Sequence, residues 1–260
     1  MPWQRDHMGR RLLNHTYRET LRAKVRRASQ TLEAFLGVPR QAGDRPAPLE
    51  MLVATILSQN TNDKNSHRAY TQLRQEFSTW DDVARAPLRK LKIAIRIGGM
   101  ANQKAARIKE TLVAVKSRYG AYDLSALGTK SNEEVIAELT QMKGVGVKTA
   151  ACVLLFSMGR DVFPVDTHVH RICGRLGLAP GSRTPDKTFE LMKSLVPEGK
   201  GYSFHTNLIR FGRRVCRSNK PACEFCPLYV DCIYEKKKRR PTARRAPSHA
   251  NHDFMLLDNV

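Results

Sequence analysis

The stretch LTQMKGVGVKTAACVLLFSMGRDVFPVDTHVHR, residues 139–171, decides how the rest of this chain is read. Its first half holds a tight hairpin, Lys143-Gly144-Val145-Gly146, and a helix is expected from about Val147. Two glycines around one valine let the backbone turn sharply and leave amide N–H groups exposed. Together with the amides of the helix N-terminus behind them, they form an anion site suited to a phosphate. Lys148 falls in the first turn of that helix, where the positive end of the helix dipole disfavours its ammonium form. Asp166 follows eighteen positions later at the start of another helix, where an isolated aspartate is an ordinary N-cap. A GxG turn and a first-turn lysine are weak signals alone, so the surrounding chain must carry the argument.

The 260 residues hold 45 Lys and Arg against 24 Asp and Glu, a net charge of +21. Both ends are strongly basic (1–28 and 236–245), yet the body between them keeps a positive balance of its own. That favours a polyanion partner, nucleic acid before membrane, because no long apolar span or lipid anchor is visible. Charge alone supports only non-specific binding that salt weakens. The N-terminus lacks the apolar core of a secretory signal, though its arginines leave a transit peptide open. It reads better as a helix, opened by the capping box Thr16-x-x-Glu19 and continued by Leu21, Val25, Leu32 and Phe35.

Nearly every other segment also has helical period. A linker, residues 41–48, precedes a buried helix over 49–57 that ends in the polar run Ser58-Gln59-Asn60-Thr61-Asn62-Asp63. Helices are expected over 64–76, 80–85 and 103–118, the last with a basic face, after the turn Ile97-Gly98-Gly99-Met100-Ala101-Asn102. Ser131-x-x-Glu134 is a second capping box, and further helices fit 167–176, 185–196 and 202–214. No stretch alternates like a strand, so the chain is expected to be all-α.

Four of the six cysteines cluster as Cys216-x6-Cys223-x2-Cys226-x5-Cys232. Thiolates at short, unequal spacing on a loop can wrap one soft metal centre. Zinc is the generic alternative, although zinc ribbons favour two CxxC pairs with a longer run between them. A disulfide framework does not suit a chain without an export signal. Cys152 and Cys173 fall on apolar helical faces and read as small core residues.

QMKGVGVKTA followed by VDTH resembles the helix-hairpin-helix DNA glycosylases. The 6-2-5 cysteine spacing resembles the [4Fe–4S] loop of their endonuclease III and adenine glycosylase branches. The resemblance covers about residues 20–235. It implies two helical domains flanking a DNA-binding cleft: a six-helix barrel over 41–160, and a cluster domain joining 1–40 to 161–235. Residues 236–260 would be a basic tail, unfolded in its last part. The implied activity is a bifunctional glycosylase/lyase that excises oxidised pyrimidines from duplex DNA. Lys148 would be the Schiff-base nucleophile and Asp166 the carboxylate that takes its proton. Cys216, Cys223, Cys226 and Cys232 would hold the cluster. Gly144, Val145 and Gly146 would meet a phosphate, as would Arg217 and Lys220 with Arg213 and Arg214 beside them.

Other positions depart from the family pattern. Met100 stands where an apolar wedge, usually leucine, enters the base stack, with Asn102 beside it. Asn60 stands where a glutamine commonly fills the space of the extruded base, and Gln59 next to it is an equal candidate. Lys143 replaces the usual hairpin proline. His168 either orders Asp166, contacts DNA or packs on its helix face. These departures leave open a glycosylase for G:T or G:U mispairs, or for methylated cytosine, and a non-catalytic iron–sulfur DNA-binding module. A monomer is expected, in the cytoplasm of a bacterium or the nucleus or mitochondrion of a eukaryote. The run Lys236–Arg240 would bind phosphate or serve as a nuclear signal.

Overall fold

A computed structural model describes residues 3–40 and 44–237, with side chains from His15 onward. The expectations for the tail beyond residue 237 lie outside the described residues. Among those residues every regular element is helical and there is no strand. They divide into two compact units, one of residues 44–164 and one joining 3–40 to 165–237.

The first unit is built around α2, Pro48–Ser58. Every residue from Leu49 to Leu57 except Glu50 is buried, which suits a helix apolar on all sides. A proline at its start is tolerated where no amide partner is lost, and Glu50 reaches back to the amide of Ala47 at 3.2 Å. Around α2 pack α3 (Asp63–Glu76), α6 (Ala101–Tyr119) and α8 (Val147–Cys152), whose last turn widens into a π turn at Val153–Ser157. The short helices α4 (Trp80–Arg85) and α5 (Leu88–Ala94) lie against α6. Burying one Leu, Ile or Val contributes about 1.5–3 kcal/mol, so α2 is the main apolar anchor of the unit.

The expected capping box at Ser131 opens α7, Asn132–Leu139, and both its reciprocal bonds form: Glu134 N to Ser131 Oγ at 3.2 Å, and Ser131 N to Glu134 Oε2 at 2.7 Å. Glu138 on α7 takes Tyr119 Oη at 2.5 Å and Arg118 Nε at 3.1 Å and pairs with Lys130, tying α6 to α7.

The second unit is organised by α11, Gly201–Arg214, against which α1 (Trp3–Leu36) and α9 (Thr167–Leu176) pack. Glu33 of α1 holds Lys200 through both oxygens at 3.0 Å and accepts Ser203 Oγ at 2.7 Å. Two expectations need correction here. Thr16-x-x-Glu19 does not start a helix, because α1 already runs from Trp3; Glu19 instead pairs with Arg22 at 2.7 Å. The helix expected over 185–196 is shorter: α10 spans Pro185–Met192.

Candidate active site and nucleic-acid interface

The hairpin closes with one backbone bond, Val145 N to Met142 O at 3.0 Å. Only the first of its glycines is demanded by the backbone. Gly144 has φ +83°, and a β-carbon there would stand 3.0 Å from Arg107 Cδ. Gly146 has an ordinary φ of −96° and open space around it. Lys143 pairs with Glu110 at 3.0 Å, but both side chains are well exposed. Such a pair contributes at most about 1 kcal/mol, so the buried Met142 and Val145 hold the turn in place. Gly146 is the N-cap of α8 and, having no side chain, caps none of the first amides of that helix. Lys148 is its second residue and is half-buried.

A second feature of the same unit brings together residues 40 positions apart. Asn60 and Met100 both have left-handed backbone, φ +52° and +49°, a region that non-glycine residues seldom occupy. Asn60 Nδ2 lies 3.5 Å from Met100 Sδ, and both side chains are exposed. Gln59 is engaged elsewhere: its Oε1 accepts Arg107 Nη1 at 2.7 Å. Of the two candidates, Asn60 is therefore the one presented beside Met100. Asn102 is exposed in the first turn of α6 and helps line an open groove of about 480 Å³ with Lys92, Ile93 and Arg96.

Arg107 and Lys104 did not figure as site residues in the sequence reading. The expected basic face of α6 includes Lys104, which is in fact 1 % exposed. The signal was available, since Lys104 lies at helical spacing from the buried Ile108, Leu112 and Val115.

In the second unit, Asp166 is the N-cap of α9, its Oδ1 accepting Val169 N at 2.8 Å. That satisfies an amide the helix start would otherwise leave unpaired. His168 stands two positions further on, with Nδ1 3.1 Å from Arg171 Nη2. A β-carbon on Gly212 would meet His168 Nδ1 at 2.9 Å, so this glycine permits the close approach of α9 and α11. Cys173 is fully buried, and burial pushes its thiol up to about 12, so it is inert core.

The four clustered cysteines share one electrostatic neighbourhood. Burial raises the Cys226 thiol to about 12, and Cys216, Cys232 and Cys223 each push it the same way. Cys216 is also raised, first by burial, while Arg175 opposes the rise. Arg175 Nη1 donates to Cys216 Sγ at 3.3 Å and to the carbonyl of Arg217 at 2.7 Å; its own carbonyl accepts Cys232 Sγ at 3.4 Å. None of these cysteines is in a disulfide. Among the described residues no set of three His, Cys, Asp or Glu closes on a single metal-ion position. Four soft donors with guanidinium groups beside them suit a centre that binds thiolates. Arg217 and Lys220 are exposed on this loop, Lys220 with φ +50°.

A hairpin with uncapped helix amides and exposed cations marks a helix-hairpin-helix protein suited to a phosphate backbone. The comparisons with known proteins sharpen that class. Residues 53–198 match the family described as HhH-GPD superfamily base excision DNA repair protein. The endonuclease III of Thermotoga maritima is 35 % identical over 197 residues, covering 76 % of this chain and 88 % of that protein. An Arabidopsis thaliana protein provisionally named a DNA glycosylase is 39 % identical over 172 residues, covering 66 % of this chain; the chain spans only 58 % of that relative's length. A solved non-covalent endonuclease III–DNA complex superposes with a TM-score of 0.70 at 25 % identity, covering 82 % of this chain and 95 % of that one. The chain belongs to the HhH-GPD superfamily of base excision DNA repair proteins, within its endonuclease III-like DNA glycosylases.

Proposed function

We propose that this glycosylase is bifunctional, removing a damaged pyrimidine from duplex DNA and then cleaving the strand. The observation that carries the reading is the place of Lys148, second residue of the helix that follows the hairpin. Its amine attacks the sugar C1′, the glycosidic C–N bond breaks, and the base leaves with a proton. The C1′–O4′ bond then opens, O4′ taking up a proton, so that the nitrogen lone pair completes a C=N bond. The resulting Schiff base makes the C2′ proton acidic; its loss expels the 3′ phosphate and nicks the strand. Asp166 is assigned the carboxylate's part, accepting the amine's proton and stabilising positive charge that builds on the sugar.

Extruding the nucleotide costs a few kcal/mol, and the exposed Asn60–Met100 pair is assigned to offset it by entering the stack. Gly144, Val145 and Gly146 offer backbone to a phosphate, as Arg217 and Lys220 offer side chains. Asn102 is assigned a contact in the groove beside Met100. His168, turned to Arg171 and Gly212, is assigned to steady the start of α9 rather than to touch DNA.

Cys216, Cys223, Cys226 and Cys232 are the residues that would hold a [4Fe–4S] cluster, which when bound ties the loop together through iron–sulfur bonds. The duplex would be bound by a monomer, in the bacterial cytoplasm or a eukaryotic nucleus or mitochondrion.

Borohydride reduction tests the chemistry. It should trap a covalent complex on duplexes carrying an oxidised pyrimidine, and Lys148→Gln should abolish the trap. Undiminished trapping by that variant rejects Lys148 as nucleophile. Running G:T and G:U duplexes in parallel separates the oxidised-base reading from a mismatch glycosylase.

A further inference from the structure

Lys104 is 1 % exposed and, among the described residues, pairs with no carboxylate; its Nζ donates instead to two main-chain carbonyls, Leu57 O and Gly98 O, each at 2.7 Å. Burial alone lowers its amine to about 8. A buried ammonium without a counter-ion is costly, so its retention calls for a reason. The two carbonyls supply one. Leu57 is in the last turn of α2, and Gly98 ends the 3-10 turn Arg96–Gly98. Both carbonyls lie at helix C-termini, where acceptors lack partners and the dipole is negative. One amine therefore caps two helix ends at once.

The chain that leaves each end runs directly into a strained residue. Past Leu57 come Ser58, Gln59 and then Asn60 at φ +52°; past Gly98 come Gly99 and Met100 at φ +49°. The main chain of Lys104 completes the tie, its N donating to Met100 O at 3.0 Å. We infer that Lys104 is a positioning residue that fixes the Asn60 and Met100 tips together by pinning the backbone behind each. This rests on the reading above, in which that pair enters the base stack. Two left-handed residues on separate loops would each relax independently if nothing joined their supports. The single amine joins them. It does not touch DNA.

Base unstacking can be read without catalysis. The probe is a duplex with 2-aminopurine opposite a tetrahydrofuran abasic analogue, bound by the full-length protein at saturating concentration. Wild type should raise 2-aminopurine fluorescence several-fold, and Asn60→Ala and Met100→Ala should lower that rise. Lys104→Met keeps the volume and removes both bonds, and should lower the rise at least threefold while far-UV circular dichroism stays unchanged. Lys104→Arg retains the charge, and with it the fold if the apolar variant fails. Its longer planar fork cannot place one nitrogen between the same two carbonyls, so its rise should be intermediate. A folded Lys104 variant that unstacks the base at wild-type amplitude, whatever its loss in Tm, overturns the inference and leaves the proposed function standing. A wild-type protein that never unstacks the base overturns both.

Discussion

One oxygen of Asp166 is committed to the amide of Val169, so a loss of activity on removing this residue could come from a frayed helix or from lost chemistry. Substitutions separate the two. Asparagine caps as well as aspartate, so Asp166→Asn should leave the Tm nearly unchanged. Without the carboxylate, single-turnover strand cleavage should fall about 10²–10⁴-fold. Asp166→Ala should lose the same activity and a further ~1 kcal/mol of stability by chemical denaturation. Full turnover by Asp166→Asn would reduce the residue to a cap. At this scale the sequence was only half legible. That Asp166 starts a helix follows from its neighbours alone, as does the first-turn place of Lys148 on α8. Which of Gln59 and Asn60 faces outward did not, because Arg107, which decides it, is 48 positions away.

Among the elements, the hairpin offers the clearest contrast. Its two glycines look equivalent in sequence, yet Gly144 has positive φ and faces Arg107, whereas Gly146 has neither restraint. Gly144→Ala should therefore cost about 1–2 kcal/mol and weaken binding to an abasic duplex several-fold. Gly146→Ala loses an N-cap preference but stiffens the unfolded chain, so it should stay within about 1 kcal/mol of wild type and above Gly144→Ala in Tm. Equal Tm values for the two variants would contradict the geometry, and thermal unfolding beside a binding titration checks it. Helix boundaries set by local chemistry were legible: the reciprocal box at Ser131 starts α7 where expected. An identical pattern at Thr16 was misread, because a capping box is compatible with a helix interior and only the residues before it say which it is. Met100 as the left-handed cap of α6 carried no local signal, since methionine rarely adopts that backbone.

For the molecule as a whole, the cysteine loop supplies the test of how the second unit is held together. Protein prepared without air should be brown and carry about four iron atoms per chain. Cys226→Ser should lose the colour and most of the iron and show a lower Tm, with Arg217 and Lys220 no longer fixed on the loop. A colourless wild type holding one zinc per chain would replace the cluster by a single-ion site. No helix among the described residues is long and apolar enough to cross a membrane.

The residue order by itself determined the helical elements, the hairpin, and the cysteine spacing, because periodicity, capping and ligand spacing act over a few neighbouring positions. Family membership was readable from the same short motifs. Tertiary structure alone decided that Lys104, on the packed face of α6, binds the ends of two other helices, and that Asn60 meets Met100. Those facts depend on contacts between segments up to 47 positions apart, and no local propensity reports which carbonyl a long, flexible amine will find once the core has closed around it.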